Sequence, residues 1–215
     1  MHKRNTMTRP LTHALIVAHP SEDSFTMAVA RRFLAAVEGH GQAGFIRDLY
    51  RVGFDPLLQE SERHGEVAED IEAELALLAE ADVIVLVYPI WFGAPPAMLK
   101  GYVDRVFGAG RTVGQAQDGA ASSRLAGKQL VSLQLSGSMR AWLHEKGVLM
   151  SLRNLFERYL CEVFGLPESH SYHFDGVTPE MSEKDAAFHF AKVDEAARAV
   201  LVHVRREWQK EPPRG

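Results

Sequence analysis

Hydrophobic positions along this chain fall into short runs separated by longer stretches of helical period. Ala14 to Ala18 (ALIVA) and Val83 to Tyr88 (VIVLVY) are unbroken apolar runs, and Leu130 to Leu135 (LVSLQL) is nearly so. Runs of this kind read as strands buried on both faces of a parallel sheet. Phe45 to Asp48 and Ser169 to Phe174 are weaker strands in equivalent places between helical stretches. The intervening segments repeat apolar residues at helical spacing. The first runs from Phe25 to about Val37. The second runs from Ser61 to Glu80, with Val67, Ile71, Leu75 and Leu78 facing inward and an acidic outer face that reads as solvated. Met98, Leu99, Tyr102, Val103, Val106 and Phe107 mark a third helix, and Leu149, Leu152, Leu155, Phe156, Tyr159, Leu160 and Val163 a fourth, over residues 148–164. Ser182 with Asp185 forms a capping-box pattern that opens a last helix to about Trp208. This alternation predicts a three-layer α/β sandwich, a five-stranded parallel sheet with helices on both faces. With no second mononucleotide-binding half, the strand order it favours is 2-1-3-4-5.

The stretch from Val83 to Phe107 organises the rest. Pro89 cannot donate to a ladder and ends its strand, and Pro95 and Pro96 suit the first turn of the helix that follows. Between them lies Ile90-Trp91-Phe92-Gly93-Ala94. In open α/β sheets ligands bind beyond the carboxyl ends of the strands, where this loop falls. A flat aromatic wall with free backbone N–H groups suits a planar heterocycle carrying carbonyl oxygens and ring nitrogens. Taken singly, Trp91 or Phe92 would read as closure of the core. After the first strand, His19-Pro20-Ser21-Glu22-Asp23-Ser24-Phe25 leads to a helix that Ser24 can cap. Its N-terminus offers N–H groups to an anion such as a phosphate, with the Ser24 and Thr26 hydroxyls in reach. Glu22 and Asp23 oppose this unless they point outward. Gly39, Gly41 and Gly44 spell G-x-G-x-x-G, but they follow a helix and precede a strand, the reverse of a dinucleotide fingerprint. They read as a helix cap and a turn. Gly108 to Arg124 has no clear period and reads as a long loop facing the site.

The totals narrow the chemistry. The 215 residues suit one domain, over residues 11–209, between a disordered extension (1–10) and a frayed tail (210–215). A net charge of −4 argues against nucleic acid as the main partner. The single cysteine, Cys161, excludes an internal disulfide or a cysteine metal cluster, and its apolar helical setting marks a buried structural thiol. No run approaches a membrane span, and the polar, basic first residues are no secretory signal, so a reducing cytoplasm is expected. Paired carboxylates, a nucleophile elbow and a P-loop are all absent from the sequence. The ten histidines are scattered, His170 and His173 read as strand-edge features, and no metal site is expected.

Tyr88 to Gly108, YPIWFGAPPAMLKGYVDRVFG, resembles the signature loop and helix of the flavodoxin-like NAD(P)H:quinone oxidoreductases. The match lies at Tyr88-Pro89, Phe92, Pro96-Ala97, Leu99-Lys100-Gly101-Tyr102 and Arg105-Val106-Phe107. His19 with Ser24-Phe25, the Asp48-Leu49-Tyr50 triplet and Gly137-Ser138-Met139 extend it over roughly Leu11 to Phe174. The resemblance implies a flavodoxin-like fold and a homodimer holding FAD or FMN between three strand-end loops, FAD being used by the branch it matches best. By it, His19, Ser24, Phe25 and Thr26 would bind the flavin phosphate and ribityl groups. Pro89, Ile90, Trp91, Phe92 and Gly93 would line the isoalloxazine, and Ser136 and Gly137 would approach its pyrimidine end. The family's Tyr and His on the third loop fall here on Arg140 and Lys146, with His144 between them, so any charge at the flavin N1/O2 edge would come from these groups. The third loop also lacks the family's paired glycines. The implied reaction is a ping-pong hydride transfer from NAD(P)H through the flavin to a quinone or similar flat acceptor. A free flavin reductase and a non-catalytic regulatory subunit of a transporter are the alternatives within the same resemblance.

Overall fold

The computed structural model describes residues 9–112, 123–167 and 169–210. Strands β1 (Thr12–Val17), β2 (Ala43–Asp48), β3 (Val83–Pro89), β4 (Gln129–Leu135) and β5 (Ser169–Phe174) form one parallel sheet in the order β2-β1-β3-β4-β5. This is the expected order. β3 lies at the centre and every residue of it is buried, which is why its sequence carries no polar face. Its side chains alternate between two cores. Val83, Val85 and Val87 join Leu15, Val17 and Phe33 under α1 (Phe25–Gly39) and α8 (Glu183–Lys210). Ile84, Leu86 and Tyr88 join the core on the opposite face. That face is covered by α3 (Glu69–Ala79), α4 (Ala97–Tyr102) and α7 (Tyr159–Phe164). Each such fully buried aliphatic side chain contributes ~1.5–3 kcal/mol, so the centre of the sheet is a stiff platform for the loops at its end. Pro89 is the last residue of β3, opposite Leu135.

The helices depart from their sequence periods in three ways, each with a physical reason. The helix expected over Ser61 to Glu80 is two, α2 (Glu60–Arg63) and α3, parted at Gly65, whose φ of +90° ends a helix and suits glycine. Ile71, Leu75 and Leu78 are buried as expected, but the acidic face is not uniformly solvated. Glu74 is buried against Arg47 and accepts a hydrogen bond from Tyr102 Oη at 3.2 Å. Glu62 is buried against Arg105, 2.9 Å away. Second, α4 runs into a π-helical turn (Val103–Phe107), and α6 (Val148–Leu152) reaches α7 through a π-helical segment (Arg153–Arg158). The wider turn shifts the phase of the apolar stripe. Leu155 and Tyr159 therefore emerge at the surface while Leu152, Phe156 and Leu160 stay inside. Third, a short helix, α5 (Arg140–Glu145), occupies residues that carried no helical signal.

Gly44 is not a turn residue. It lies within β2 opposite His13, where a Cβ would sit 2.8 Å from the His13 carbonyl oxygen. Gly101 on α4 lets the Asp55-Pro56 connection pack against the helix, since a Cβ there would lie 2.3 Å from Pro56 O. Arg9 reaches Asp82 with bonds of 2.8 and 2.6 Å. The long loop expected at Gly108 to Arg124 falls largely outside the described residues, as do residues 1–8 and 211–215. Cys161 is buried; among the described residues, no three potential metal ligands cluster, and no helix is long and apolar enough to cross a membrane.

Candidate functional site

Three connections leave the carboxyl ends of β1, β3 and β4, and contacts between them build one rim. In the first, the Ser24 side chain accepts the Met27 N–H at 3.2 Å and caps α1. The Ser24 carbonyl accepts the Ala28 N–H at 3.0 Å, while the Phe25 and Thr26 N–H groups find no acceptor among the described residues. Two donors without a protein acceptor at the positive end of a four-turn helix are an arrangement that suits an anion. The acidic neighbours do not close it, because Glu22 lies 3.8 Å from Arg31 and both Glu22 and Asp23 are exposed. The His19 ring folds back on Ser21, accepting its N–H at 3.1 Å, and lies 5.8 Å from the Trp91 ring. That contact joins the first loop to the second.

The second loop is a two-residue turn of unusual composition. Trp91 and Ala94 exchange both backbone hydrogen bonds, at 2.9 and 3.0 Å, around Phe92 and Gly93. Both central residues have positive φ, +50° for Phe92 and +82° for Gly93, which is the mirror-image turn geometry of tight hairpins. Glycine adopts it freely. For phenylalanine it costs ~1–3 kcal/mol, strain of the kind found at functional sites. The turn holds Phe92 wholly in solvent and leaves Trp91 40% exposed, so neither closes the core. Pro89 and Ile90 are buried beneath, and the Ile90 N–H is tied to Leu135 O at 2.7 Å. The Trp91 N–H is consumed within the turn. The Phe92 and Gly93 N–H groups have no acceptor among the described residues and are the donors this loop can offer.

The third loop starts at Ser136, which is buried. Its N–H bonds Phe174 O and its carbonyl accepts the Val177 N–H, both at 2.9 Å. Its hydroxyl lies 2.7 Å from Ser138 O and 2.8 Å from His173 Nε2. Gly137, Ser138 and Met139 are exposed, and their N–H groups have no acceptor among the described residues. Arg140, His144 and Lys146 follow on α5 and just past it, all exposed. Lys146 pairs with Glu145 at 2.9 Å, and the Arg140 N–H is held by Asp175 Oδ2 at 2.8 Å.

Beneath these loops lies a polar layer that the sequence reading passed over. Gln134 donates to Tyr88 Oη at 3.0 Å and to Glu157 Oε1 at 2.6 Å, and Ser171 bonds the other Glu157 oxygen. Burial pushes the Glu157 carboxyl up, against the bonds from Ser171 and Gln134 that favour its charged form. Burial likewise pushes the Tyr88 phenol up, with the nearby Glu157 charge adding to it. On β5, in register with Gln134, burial holds the His173 imidazole below the ordinary histidine value. Burial pushes Asp175 up, but the Arg140 N–H, its own N–H, His173 and Lys192 more than offset it and hold the carboxyl below its usual range. The one visible signal was alternation, since Ser171 and His173 place polar groups on a face where β1 and β3 are apolar. A separate cavity of about 310 Å³ lies between α4 and α7, with Leu58, Val103, Leu155, Tyr159 and Phe164 among its walls. It is not part of this rim.

The site therefore brings together His19, Ser24, Phe25, Thr26, Trp91, Phe92, Gly93, Ser136 and Gly137 at one end of the sheet. Comparison with known proteins bears on the fold and the family. A family model described as a flavodoxin-like fold matches residues 12–200. A Haemophilus influenzae protein named as an uncharacterized NAD(P)H oxidoreductase is 32% identical over 199 residues, 90% of this chain and 92% of that one. The guinea pig (Cavia porcellus) NAD(P)H dehydrogenase [quinone] 1 is 28% identical over 118 residues, which cover 45% of this chain and 42% of that protein. Among solved structures, the NAD(P)H:quinone oxidoreductase from Methanothermobacter marburgensis superposes with a TM-score of 0.75 at 22% identity, over 89% of this chain and 97% of that one. With its sheet order, its three strand-end loops and a relative matched along nearly its whole length, this chain belongs to the flavodoxin-like fold family.

Proposed function

We propose that this protein binds a flavin, FAD or FMN, across the three loops and uses it to reduce quinones or similar flat aromatic acceptors at the expense of NAD(P)H. The observation that carries this reading is the rim itself: open N–H donors at Phe25 and Thr26 and at Phe92 and Gly93, beside two aromatic rings held out of the core. The residues present fit a flavin. The N-terminus of α1 receives a phosphate, the turn at Trp91–Gly93 offers a flat wall with two donors, and loop 3 offers three more at Gly137, Ser138 and Met139. When bound, a flavin supplies hydride transfer between a nicotinamide and a quinone.

The chain's own contribution is positioning and charge. Trp91 and Phe92 select flat partners and shield them from water. Negative charge grows on the pyrimidine edge during reduction, and a cation or donor fixed there before reaction stabilises it. Of the three candidates on the third connection, Arg140 is placed best. Its backbone is pinned by Asp175 next to Ser138-Met139, whereas Lys146 is engaged by Glu145. His144 is exposed on the far turn of α5. Leu58, Leu155 and Tyr159, all exposed, share the cavity between α4 and α7, and this apolar surface suits a second copy of the chain in a homodimer.

Steady-state kinetics test the reading. With menadione as acceptor and NADH or NADPH as donor, double-reciprocal plots at several acceptor concentrations are expected to be parallel, as a shared pocket used in turn requires. Converging lines would contradict the single pocket, and no turnover with either donor would contradict the activity.

A further inference from the structure

We propose that His173 is a positioning residue of this site, holding loop 3 in its flavin-receiving shape through the Ser136 hydroxyl. The bonding pattern fixes the direction of the chain of hydrogen bonds. Ser136 Oγ has one proton, and the Ser138 carbonyl 2.7 Å away can only accept it. The hydroxyl oxygen must then accept from His173, so the ring nitrogen at 2.8 Å, Nε2, carries a proton. His173 Nδ1 is buried and has no hydrogen-bond partner among the described residues, which suits the bare acceptor nitrogen of a neutral imidazole. The order is His173 Nε2–H to Ser136 Oγ–H to Ser138 O.

This clamp acts on the loop through peptide geometry. A trans peptide is planar, with its N–H opposed to its C=O. Tying the Ser138 carbonyl back to Ser136 therefore turns the Met139 N–H away from Ser136. That N–H and those of Gly137 and Ser138 are the donors of loop 3 with no acceptor among the described residues. Without the clamp the loop holds no side-chain bond of its own at this point. Its outer anchors remain at either end, Ser136 through Phe174 O and the Val177 N–H, and Met139 and Arg140 through the Trp142 and Leu143 N–H groups and Asp175, and they leave the Gly137–Ser138 and Ser138–Met139 peptides free to rotate between them.

The arrangement makes the loop responsive to acid. A second proton on His173 would sit on Nδ1, where no acceptor waits. Burial opposes that charge most; Arg140 from α5 and Lys192 and His189 from α8 oppose it too, and Asp175 alone favours it. The ring's ordinary value is 6.5, and the folded protein holds it lower. The unfolded chain thus takes up the proton first as pH falls; the Nε2–H bond survives a second proton, but the charge it places in this buried site favours states in which the ring leaves it, so the clamp holds fully above 6.5 and weakens as pH drops through the folded value.

This inference rests on the flavin reading above, and its test separates the two. Long-range proton–nitrogen NMR of the flavin-free protein at pH 7.5 is expected to show His173 as the neutral Nε2–H tautomer. Flavin titration of wild type, His173→Gln and His173→Leu from pH 7.5 downward follows. Glutamine places an N–H where Nε2 stood and does not titrate, so it is expected to keep near wild-type affinity at every pH. Leucine removes the donor and is expected to weaken FMN and FAD binding about tenfold at pH 7.5. Wild type should pass from the first behaviour to the second on acidification. An Nδ1–H tautomer, or His173→Leu binding flavin as wild type does, would overturn the clamp. Failure of the wild type to bind either flavin would instead overturn the function proposed above and, with it, the clamp's role toward flavin.

Discussion

Ser24→Asp is expected to weaken flavin binding on the order of a hundredfold while leaving the fold intact. Aspartate caps a helix as well as serine does, so the bond to the Met27 N–H survives and stability should change by less than about 0.5 kcal/mol. The new carboxylate, however, sits beside the open Phe25 and Thr26 donors, where the phosphate is to bind. Two unit charges 4 Å apart repel by about 4 kcal/mol at an effective dielectric of 20. Salt screening reduces this at an exposed rim, which leaves an effect of about a hundredfold. Ser24→Asn keeps the cap without the charge and should bind flavin like the wild type. Parallel urea melts and flavin titrations of the two variants provide the check. Equal affinity in both would remove the phosphate from the N-terminus of α1.

Arg105→Met carries the largest expected cost in stability, about 3–5 kcal/mol by urea denaturation. The Arg105 guanidinium holds Glu62 with three contacts of 2.9–3.0 Å, donates to Asp55 O at 2.7 Å and reaches Asp70 at 2.9 Å. Its side chain is 3% exposed and that of Glu62 6%. Removing the cation strands a buried carboxylate, while the half-exposed Asp70 can turn to water. Arg105→Met with Glu62→Leu replaces the pair by apolar groups and should recover much of the loss. The cluster ties the 54–63 connection and α2 to the π-helical turn after α4, the helix that fixes the exit of the Trp91–Ala94 turn. Flavin affinity is therefore expected to fall in the single variant and return in the double. A single variant as stable as wild type would show that Glu62 finds another partner.

How far the sequence carried this reading depended on whether the information was local. The unbroken runs at Ala14–Ala18 and Val83–Tyr88 needed no partner to be read as buried strands, and their punctuation by His19-Pro20 and Pro89 placed two loops at the working end of the sheet. Ser24 as a cap follows from one residue and its neighbours. Glu62 and Glu74 were misread because a charge on a periodic helix defaults to solvent, and only Arg105 and Arg47, distant in the chain, reverse that. Leu155 and Tyr159 were placed inside by a 3.6-residue period that a π-helical segment interrupts. His173 read only as a strand-edge feature because its partner, Ser136, lies 37 residues away, just past the end of the neighbouring strand. The conformation of Phe92 was invisible for a different reason. Nothing in Trp-Phe-Gly-Ala announces a left-handed phenylalanine, and the two bonds between Trp91 and Ala94 that enforce it appear only in three dimensions.

The central claim is that a flavin ring lies against the turn at Trp91–Gly93, its phosphate at the head of α1. Amide NMR of the flavin-free protein titrated with FMN, and separately with FAD, reads this residue by residue. The account predicts saturable shifts concentrated at Phe25, Thr26, Phe92, Gly93 and Gly137–Met139. A spectrum unmoved by either flavin, or shifts confined to the cavity between α4 and α7, would contradict it.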